Sequence, residues 1–317
     1  MQNQKTNAAS TLKIGLVGLG KIAVDQHIPA IHGNPKLTLV AGCSPHDRPP
    51  NVLAYSTLNE MLKMHPEIEV VAICTPPQIR RALAMEAIAA GKHVFLEKPP
   101  AATIDEAETI KNMALANGVS LLASWHSRFA PAVETTREWI AQRTLTSLRI
   151  VWKENVRQWH PGQKWIFTAG GMGVFDPGIN ALSILTQIIK DTVLVQKADL
   201  HVPLNCAAPI SAELDMMTER GLPIRAEFDF LQKDLQTWSI FAESTAGETM
   251  ALHMGGTILE IDGKLVLQEK ESEYAGLYAH FYQLVRTGKS DADFSPLRIV
   301  ADAFMIGKTI AAPEFIE

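Results

Sequence analysis

The stretch Leu12-Lys13-Ile14-Gly15-Leu16-Val17-Gly18-Leu19-Gly20-Lys21-Ile22-Ala23 decides how the first half of the chain is read. An apolar strand breaks into glycines and then enters a helical pattern over 22–32. Gly18, Gly20 and Ala23 fit G-x-G-x-x-A: a glycine for the tight turn, a second that lets the backbone approach a pyrophosphate, and a small residue for close helix–strand packing. The motif has the context that gives it meaning, a strand before it, a helix after it and a second strand over 37–43. A dinucleotide site is expected here, with Gly18, Gly20, Lys21 and Ile22 in its loop.

The end of the second strand bears on which dinucleotide. NAD-selective sites usually present Asp or Glu about 20 residues past the glycines. This chain presents Ser44-Pro45-His46-Asp47-Arg48 instead. Ser44 and His46, with Arg48 nearby, suit a 2′-phosphate, so the expected cofactor is NAD or NADP. Asp47 and Arg48 equally fit a solvated loop pair.

Alternation continues outward, with helices expected over 57–65, 78–90 and 103–117 and strands over 69–74, 93–98 and 119–124. Single helices between strands imply right-handed crossovers and a doubly wound parallel sheet. In such sheets ligands bind at the carboxyl ends of the strands, an edge that would gather Gly18, Ser44, Thr75, Lys98 and His126. The strand at 93–98 ends in Glu97-Lys98 and is closed by Pro99 and Pro100, which cannot donate to a ladder. Lys98 is thereby delivered to the ligand edge, although Glu97 and Lys98 also fit a plain end-of-strand ion pair.

Beyond a helix ending near Gln142 the texture changes. Strands are expected over 147–156, 192–201, 210–217, 224–230, 236–243, 248–253, 257–261 and 264–268, with Asp262-Gly263 as a hairpin turn. The fold class is therefore α/β plus α+β: a Rossmann domain over 11–127, then a domain over 128–317 built on a large, mostly antiparallel open sheet. Two helices close the chain, 274–287 and 296–310, the last expected to pack back on the first domain. Two polar stretches in this half suit chemistry, Glu154-Asn155-Val156-Arg157-Gln158-Trp159-His160-Pro161 and Gly170-Gly171-Met172-Gly173-Val174-Phe175-Asp176-Pro177-Gly178-Ile179-Asn180. Asp176 and Asn180 lie one helical turn apart on one face. Asp176 also fits a simple N-cap, with Pro177 at the first helical position.

Composition bounds the partners. In 317 residues, 29 basic against 34 acidic side chains give a net charge of -5, with no basic face for nucleic acid. No apolar run approaches the roughly 20 residues of a membrane span. Three cysteines, Cys43, Cys74 and Cys206, are too few for a disulfide framework or a zinc cluster, so no metal is expected and a cytoplasmic location is. Residues 1–10 are polar, lack the apolar core of an export signal, and are read as a frayed tail.

Taken in order, Gly18–Ala23 (residues 18–23), Glu97-Lys98-Pro99, Arg128-Phe129-x-Pro131 and Gly170-Gly171-x-Gly173-x-x-Asp176-x-Gly178-x-Asn180 resemble the glucose–fructose oxidoreductase / inositol dehydrogenase family over nearly the whole chain. Within it the likeness is to bacterial L-arabinose / D-galactose 1-dehydrogenases, carried by Lys21-Ile22-Ala23-x-Asp25-Gln26-His27, Trp125-His126-Ser127-Arg128, Trp152-Lys153-Glu154, Trp159-His160-Pro161-Gly162-Gln163 and Phe175-Asp176-Pro177-Gly178-Ile179-Asn180. The resemblance implies that Thr75, Glu97 and Lys98 join the cofactor site, that Lys98 reaches the substrate, and that a cis peptide follows it. It implies that Asp176 is the acidic catalytic residue and that His126, Glu154, Trp159, His160 and Asn180 line a sugar pocket. Position 180 is often histidine in the family; Asn180 cannot take up a proton, so that task falls to Asp176 or Lys98. The implied activity is NAD(P)-dependent oxidation at C1 of a galacto-configured pyranose (D-galactose, L-arabinose or D-fucose) to the 1,5-lactone; the free face of the large sheet is expected to pair copies into a homodimer or homotetramer. The alternatives are a cyclitol dehydrogenase and a cofactor-sensing regulator without turnover.

Overall fold

The structure is a computed structural model that describes residues 11–316; the tail read at 1–10 lies outside them. The chain divides into two compact units, one formed by residues 11–101, Asp105–Ser124 and Tyr274–Ala292, the other by 102–104, Trp125–Glu273 and the segment from Asp293 onward.

In the first unit β1 (Leu12–Val17), α1 (Ile28–His32), β2 (Leu37–Cys43), β3 (Ala54–Tyr55), α2 (Leu58–Met64), β4 (Val70–Ile73), α3 (Pro77–Ala89), β5 (His93–Glu97), α4 (Ile104–Ala116) and β6 (Leu121–Ser124) follow one another. The six strands form an all-parallel sheet in the order β3-β2-β1-β4-β5-β6. Ile14, Leu16, Val70, Val71, Ala72, Ile73, Val94, Phe95 and Leu96 are wholly buried, as a sheet covered on both faces requires. The order reverses between β1 and β4, which makes the loops after those two strands the ligand crevice of this sheet type. Helical backbone covers residues 21–32, and its first part is a π-helical turn at Ala23–His27 that carries His27 fully inside.

The second unit contains α5 (Val133–Ala141), β7 (Leu145–Lys153), α6 (Val156–Trp159), α7 (Phe175–Ile188), β8 (Val193–Pro203), β9 (Ser211–Thr218), β10 (Pro223–Asp229), β11 (Thr237–Ser244), β12 (Thr249–His253), β13 (Ile258–Ile261) and β14 (Lys264–Gln268). After them come α8 (Glu273–Thr287), α9 (Ser295–Ile306) and β15 (Lys308–Ala312). Nine strands form one sheet, β14-β13-β12-β11-β7-β10-β9-β8-β15. It is antiparallel except at β7–β10 and β8–β15. Burial alternates along β9 and β10, so one face is covered and the other carries polar side chains. Asp262 and Gly263 both have positive φ, 49° and 68°, the geometry of a two-residue hairpin turn.

Three expectations are corrected. The N-terminal run of the first unit stops at Ser124, not at 127, because Trp125 Nε1 donates to the Asp293 carbonyl (2.7 Å) and Arg128 pairs with Asp293 and donates to Thr186 Oγ1 (2.8 Å), all within the second unit. The last helix does not run to 310 and does not belong with the first unit. Gly307 ends α9, the following Lys308-Thr309-Ile310 pairs in parallel with β8, and α9 packs on α7 and β8. It is α8, from Tyr274, that belongs to the first unit, where Tyr278 stacks on Phe95 with ring centroids 5.0 Å apart. Finally, Asp176 is no N-cap: α7 begins at Phe175, the flanking residue is Val174, and Asp176 lies inside the first turn.

Candidate active site

In the first unit the carboxyl edge of the parallel sheet is built by loops that follow β1, β2, β4 and β5. Gly18 has φ +84°, and a Cβ there would lie 3.0 Å from Thr75 Cγ2 and from the Thr75 backbone nitrogen, so only glycine fits. A Cβ at Gly20 would meet nothing within 4 Å. The loop is thus packed on one side and open on the other. Across the crevice Thr75 Oγ1 is buried without a hydrogen-bond partner, and an orphaned buried hydroxyl calls for one. A tight glycine turn, an open approach and an unfilled polar group together fit a dinucleotide. Lys21 at the loop's exit is exposed and pairs with Asp25, and Ile22 is 37% exposed.

After β2, Ser44 is buried and its hydroxyl donates to Asp47 Oδ2 (2.9 Å) while accepting from the Asp47 amide (3.1 Å) and, at 3.4 Å, from that of His46. Arg48 does not pair with the Asp47 carboxylate. It folds back on the Ser44 and Asp47 carbonyls and reaches Ser56 Oγ (3.4 Å). The loop therefore offers a fixed carboxylate and a guanidinium together, which suits a ribose hydroxyl and a 2′-phosphate alike.

Lys98 is half-buried at the end of β5, and its peptide bond to Pro99 is cis. Glu97 is 3% exposed and its carboxylate reaches well beyond its neighbour in sequence. Its Oε1 accepts from Tyr274 Oη (2.6 Å) and stands 3.2 Å from His27 Nε2, and its Oε2 accepts from the Lys98 amide (2.5 Å). On the other side buried Arg80 donates to the carbonyls of Glu97, Pro99 and Thr75. The sequence reading missed Arg80, Tyr274 and His27's contact with Glu97; one of two adjacent arginines on an otherwise ordinary helix gave no signal beyond its charge.

In the second unit three predicted residues converge. Glu154 follows β7 and His160 follows α6. Asp176 lies in α7 against the covered face of the sheet, where Gly178 packs under Phe228. Glu154 and Asp176 are each 3% exposed. His160 Nε2 is 3.1 Å from Glu154 Oε1, and His160 Nδ1 is 3.7 Å from Asp176 Oδ2. Glu154 Oε2 also accepts from Trp238 Nε1 (2.9 Å), a residue of β11 absent from the sequence reading. Trp238 stacks on buried Trp152 (6.0 Å) and tilts against Trp159 (5.0 Å), which is 37% exposed and so no core tryptophan. Asn180 is half-buried one turn beyond Asp176. His126 sits in a short turn, His126–Phe129, where it pairs with Glu273. Arg128 of the same turn pairs with Asp293, whose carboxyl burial would raise, yet Ser295 and the Arg128 guanidinium outweigh that and hold it below the usual carboxylate range.

Among the described residues no group of three or more His, Cys, Asp or Glu could hold a metal, and no helix is long and apolar enough to cross a membrane.

A family model described as "Oxidoreductase family, NAD-binding Rossmann fold" matches residues 12–124. The chain is 46% identical to a galactose 1-dehydrogenase of Pseudomonas fluorescens, over 96% of this chain and 99% of that one. It superposes on the crystal structure of D-galactose-1-dehydrogenase from Rhizobium etli with TM-score 0.92 and 48% identity, covering 97% and 98% of the two chains. A 3-ketoreductase from Actinomadura kijaniata, solved with NADP and TDP-benzene, shares the fold at TM-score 0.85 and 17% identity, over 96% of this chain and 100% of that one.

Proposed function

This chain belongs to the glucose–fructose oxidoreductase / inositol dehydrogenase family of NAD(P)-binding oxidoreductases, and on that premise we propose that it oxidises C1 of a galacto-configured pyranose, D-galactose or L-arabinose, to the 1,5-lactone. The observation that carries the mechanism is the Asp176–His160–Glu154 chain beside the Trp159 ring. Sugar sites pair an aromatic face for the C–H side of a pyranose with carboxylates and imidazoles for its hydroxyls, and this cluster offers both. When bound, the nicotinamide supplies the hydride acceptor.

The chain's own residues handle the proton and the charge. Asp176 takes the proton of the O1 hydroxyl as general base, and Lys98, cationic, holds O1 and favours its developing negative charge. His160 Nε2–H donates to Glu154, which leaves Nδ1 of the neutral ring as an acceptor toward Asp176. His160 therefore relieves Asp176 of the proton, and Glu154 balances the imidazolium. His160 thus supplies an imidazole next to Asp176 in a chain whose position 180, often histidine in the family, is Asn180. Trp159 stacks on the sugar, and L-arabinopyranose, which is D-galactopyranose without the hydroxymethyl group, fits the same surface. His126 and Asn180 contribute to the hydroxyl contacts. The mixed Asp47–Arg48 loop supports use of both NAD and NADP. The uncovered face of the nine-stranded sheet supports pairing of copies into a homodimer or homotetramer.

Reduction of NAD and NADP is to be followed by absorbance with D-galactose, L-arabinose, D-fucose, D-glucose and myo-inositol. Turnover with the galacto-configured sugars above D-glucose supports the proposal. Turnover with myo-inositol alone assigns a cyclitol dehydrogenase, and none with any substrate assigns a regulator.

A further inference from the structure

The reading of Lys98 as the cation at O1 leaves unexplained why a histidine with no solvent contact lies in the helical turn after the glycine loop. We propose that His27 is a positioning residue for Lys98, acting through Glu97, so that the segment leaving the glycine loop and the backbone that carries the amine are held as one piece.

The geometry is a closed bracket within the first unit. His27 is 0% exposed, with Nδ1 2.8 Å from Tyr278 Oη and Nε2 3.2 Å from Glu97 Oε1. Tyr274 reaches the same carboxylate oxygen, and the other oxygen holds the Lys98 amide. Phe95, Tyr274 and Tyr278 meet the imidazole edge to face, with centroids 5.1–5.7 Å away, so the ring has no room to turn. Arg80 grips the carbonyls on both sides of Lys98 from below. A carboxylate buried to this depth is costly unless charged or polar donors surround it, and His27 is the one among these donors that belongs to the glycine-loop helix. Burial opposes charge on the imidazole, yet its neighbours Cys74, Tyr278 and Glu97 outweigh that and raise its pKa well above the usual value. The Tyr278 hydroxyl beside the imidazole is itself pushed up to about 12, chiefly by burial.

The test pairs His27→Phe, His27→Gln and Tyr274→Phe with Lys98→Met. Amide hydrogen exchange at Lys98 is measured on the enzyme without substrate, alongside NAD affinity by calorimetry and kcat. The bracket predicts that His27→Phe and Tyr274→Phe speed Lys98 exchange about 10-fold or more while exchange in β1 is unchanged. It predicts kcat down about 10- to 100-fold with NAD affinity within about threefold, His27→Gln recovering part of the loss. In the Lys98→Met background the His27 and Tyr274 substitutions should cost less than about threefold more, because residues acting as a unit are not additive. Unchanged exchange at Lys98, or an equal loss of turnover in both backgrounds, overturns the proposal. If His27→Phe does not fold, His27→Gln and Tyr274→Phe carry the same outcomes. If Lys98→Met retains full turnover, the reading of Lys98 as catalyst falls, and the exchange rate at Lys98 still decides for or against the bracket.

Discussion

Glu97 and Glu154 are equally buried at 3% exposure, one at a strand end in each unit, and their surroundings differ. Glu97 accepts from Tyr274 and a main-chain amide and faces His27, and beyond them the Tyr278 and Phe95 rings stack. Around Glu154 the donors are His160 and Trp238, and beyond them lie a second carboxylate, Asp176, and the exposed ring of Trp159. Burial alone does not single out a carboxylate for chemistry. What distinguishes the second is an imidazole with one nitrogen held and the other facing a further acid, next to an aromatic surface that solvent can reach.

The largest effect should come from breaking the second cluster at its acid. Asp176→Asn is expected to lower kcat by about 10² to 10⁴ with NAD binding intact, and Lys98→Met by a similar factor, the range for positioned acid–base groups. Their pH profiles sharpen the assignment, since disappearance of the low-pH ionisation in Lys98→Met but not in Asp176→Asn would make the lysine the base. Two glycines separate framework from function in the same way. Gly173 has φ +55°, and a Cβ there would stand 2.1 Å from the Pro209 carbonyl oxygen, so Gly173→Ala should destabilise the second unit by about 2–4 kcal/mol in urea unfolding. Gly20→Ala meets no atom. It should leave stability unchanged and weaken NAD affinity by about 10-fold, because its methyl occupies the approach to the pyrophosphate. Trp159→Ala, which strips the exposed ring but not the Trp238–Glu154 bond, should raise KM for the sugar by about 3- to 10-fold with kcat nearly kept, as for one lost stacking contact.

The smallest effect concerns the first bracket. His27 has a pKa raised in the folded state, so its stabilising contribution is complete below the ordinary imidazole value and is lost as pH rises through the raised one. Wild-type unfolding free energy should therefore decline toward alkaline pH by an increment that His27→Phe lacks, measurable by urea titration at several pH values.

The parallel sheet was legible because period, glycine spacing and strand-ending prolines act locally: β2 was placed at its observed bounds, and Gly18 and Lys98 at the right strand ends. The partition of the closing helices was not. Both are amphipathic, and which core each one fills is decided by partners far away in sequence, Phe95 for α8 and α7 for α9. The second half of the site was legible where one segment holds several participants, as in Glu154 to His160. Trp238 and Tyr274 escaped because a tryptophan in a strand or a tyrosine on a helix looks like core until the carboxylate it serves is seen beside it.

D-Galactose carrying deuterium at C1 tests the central claim most directly. The account predicts that the label leaves the sugar, appears at C4 of the reduced nicotinamide, and slows turnover in the step that Asp176 serves. Label retained in the product, with oxidation at another carbon, would contradict it.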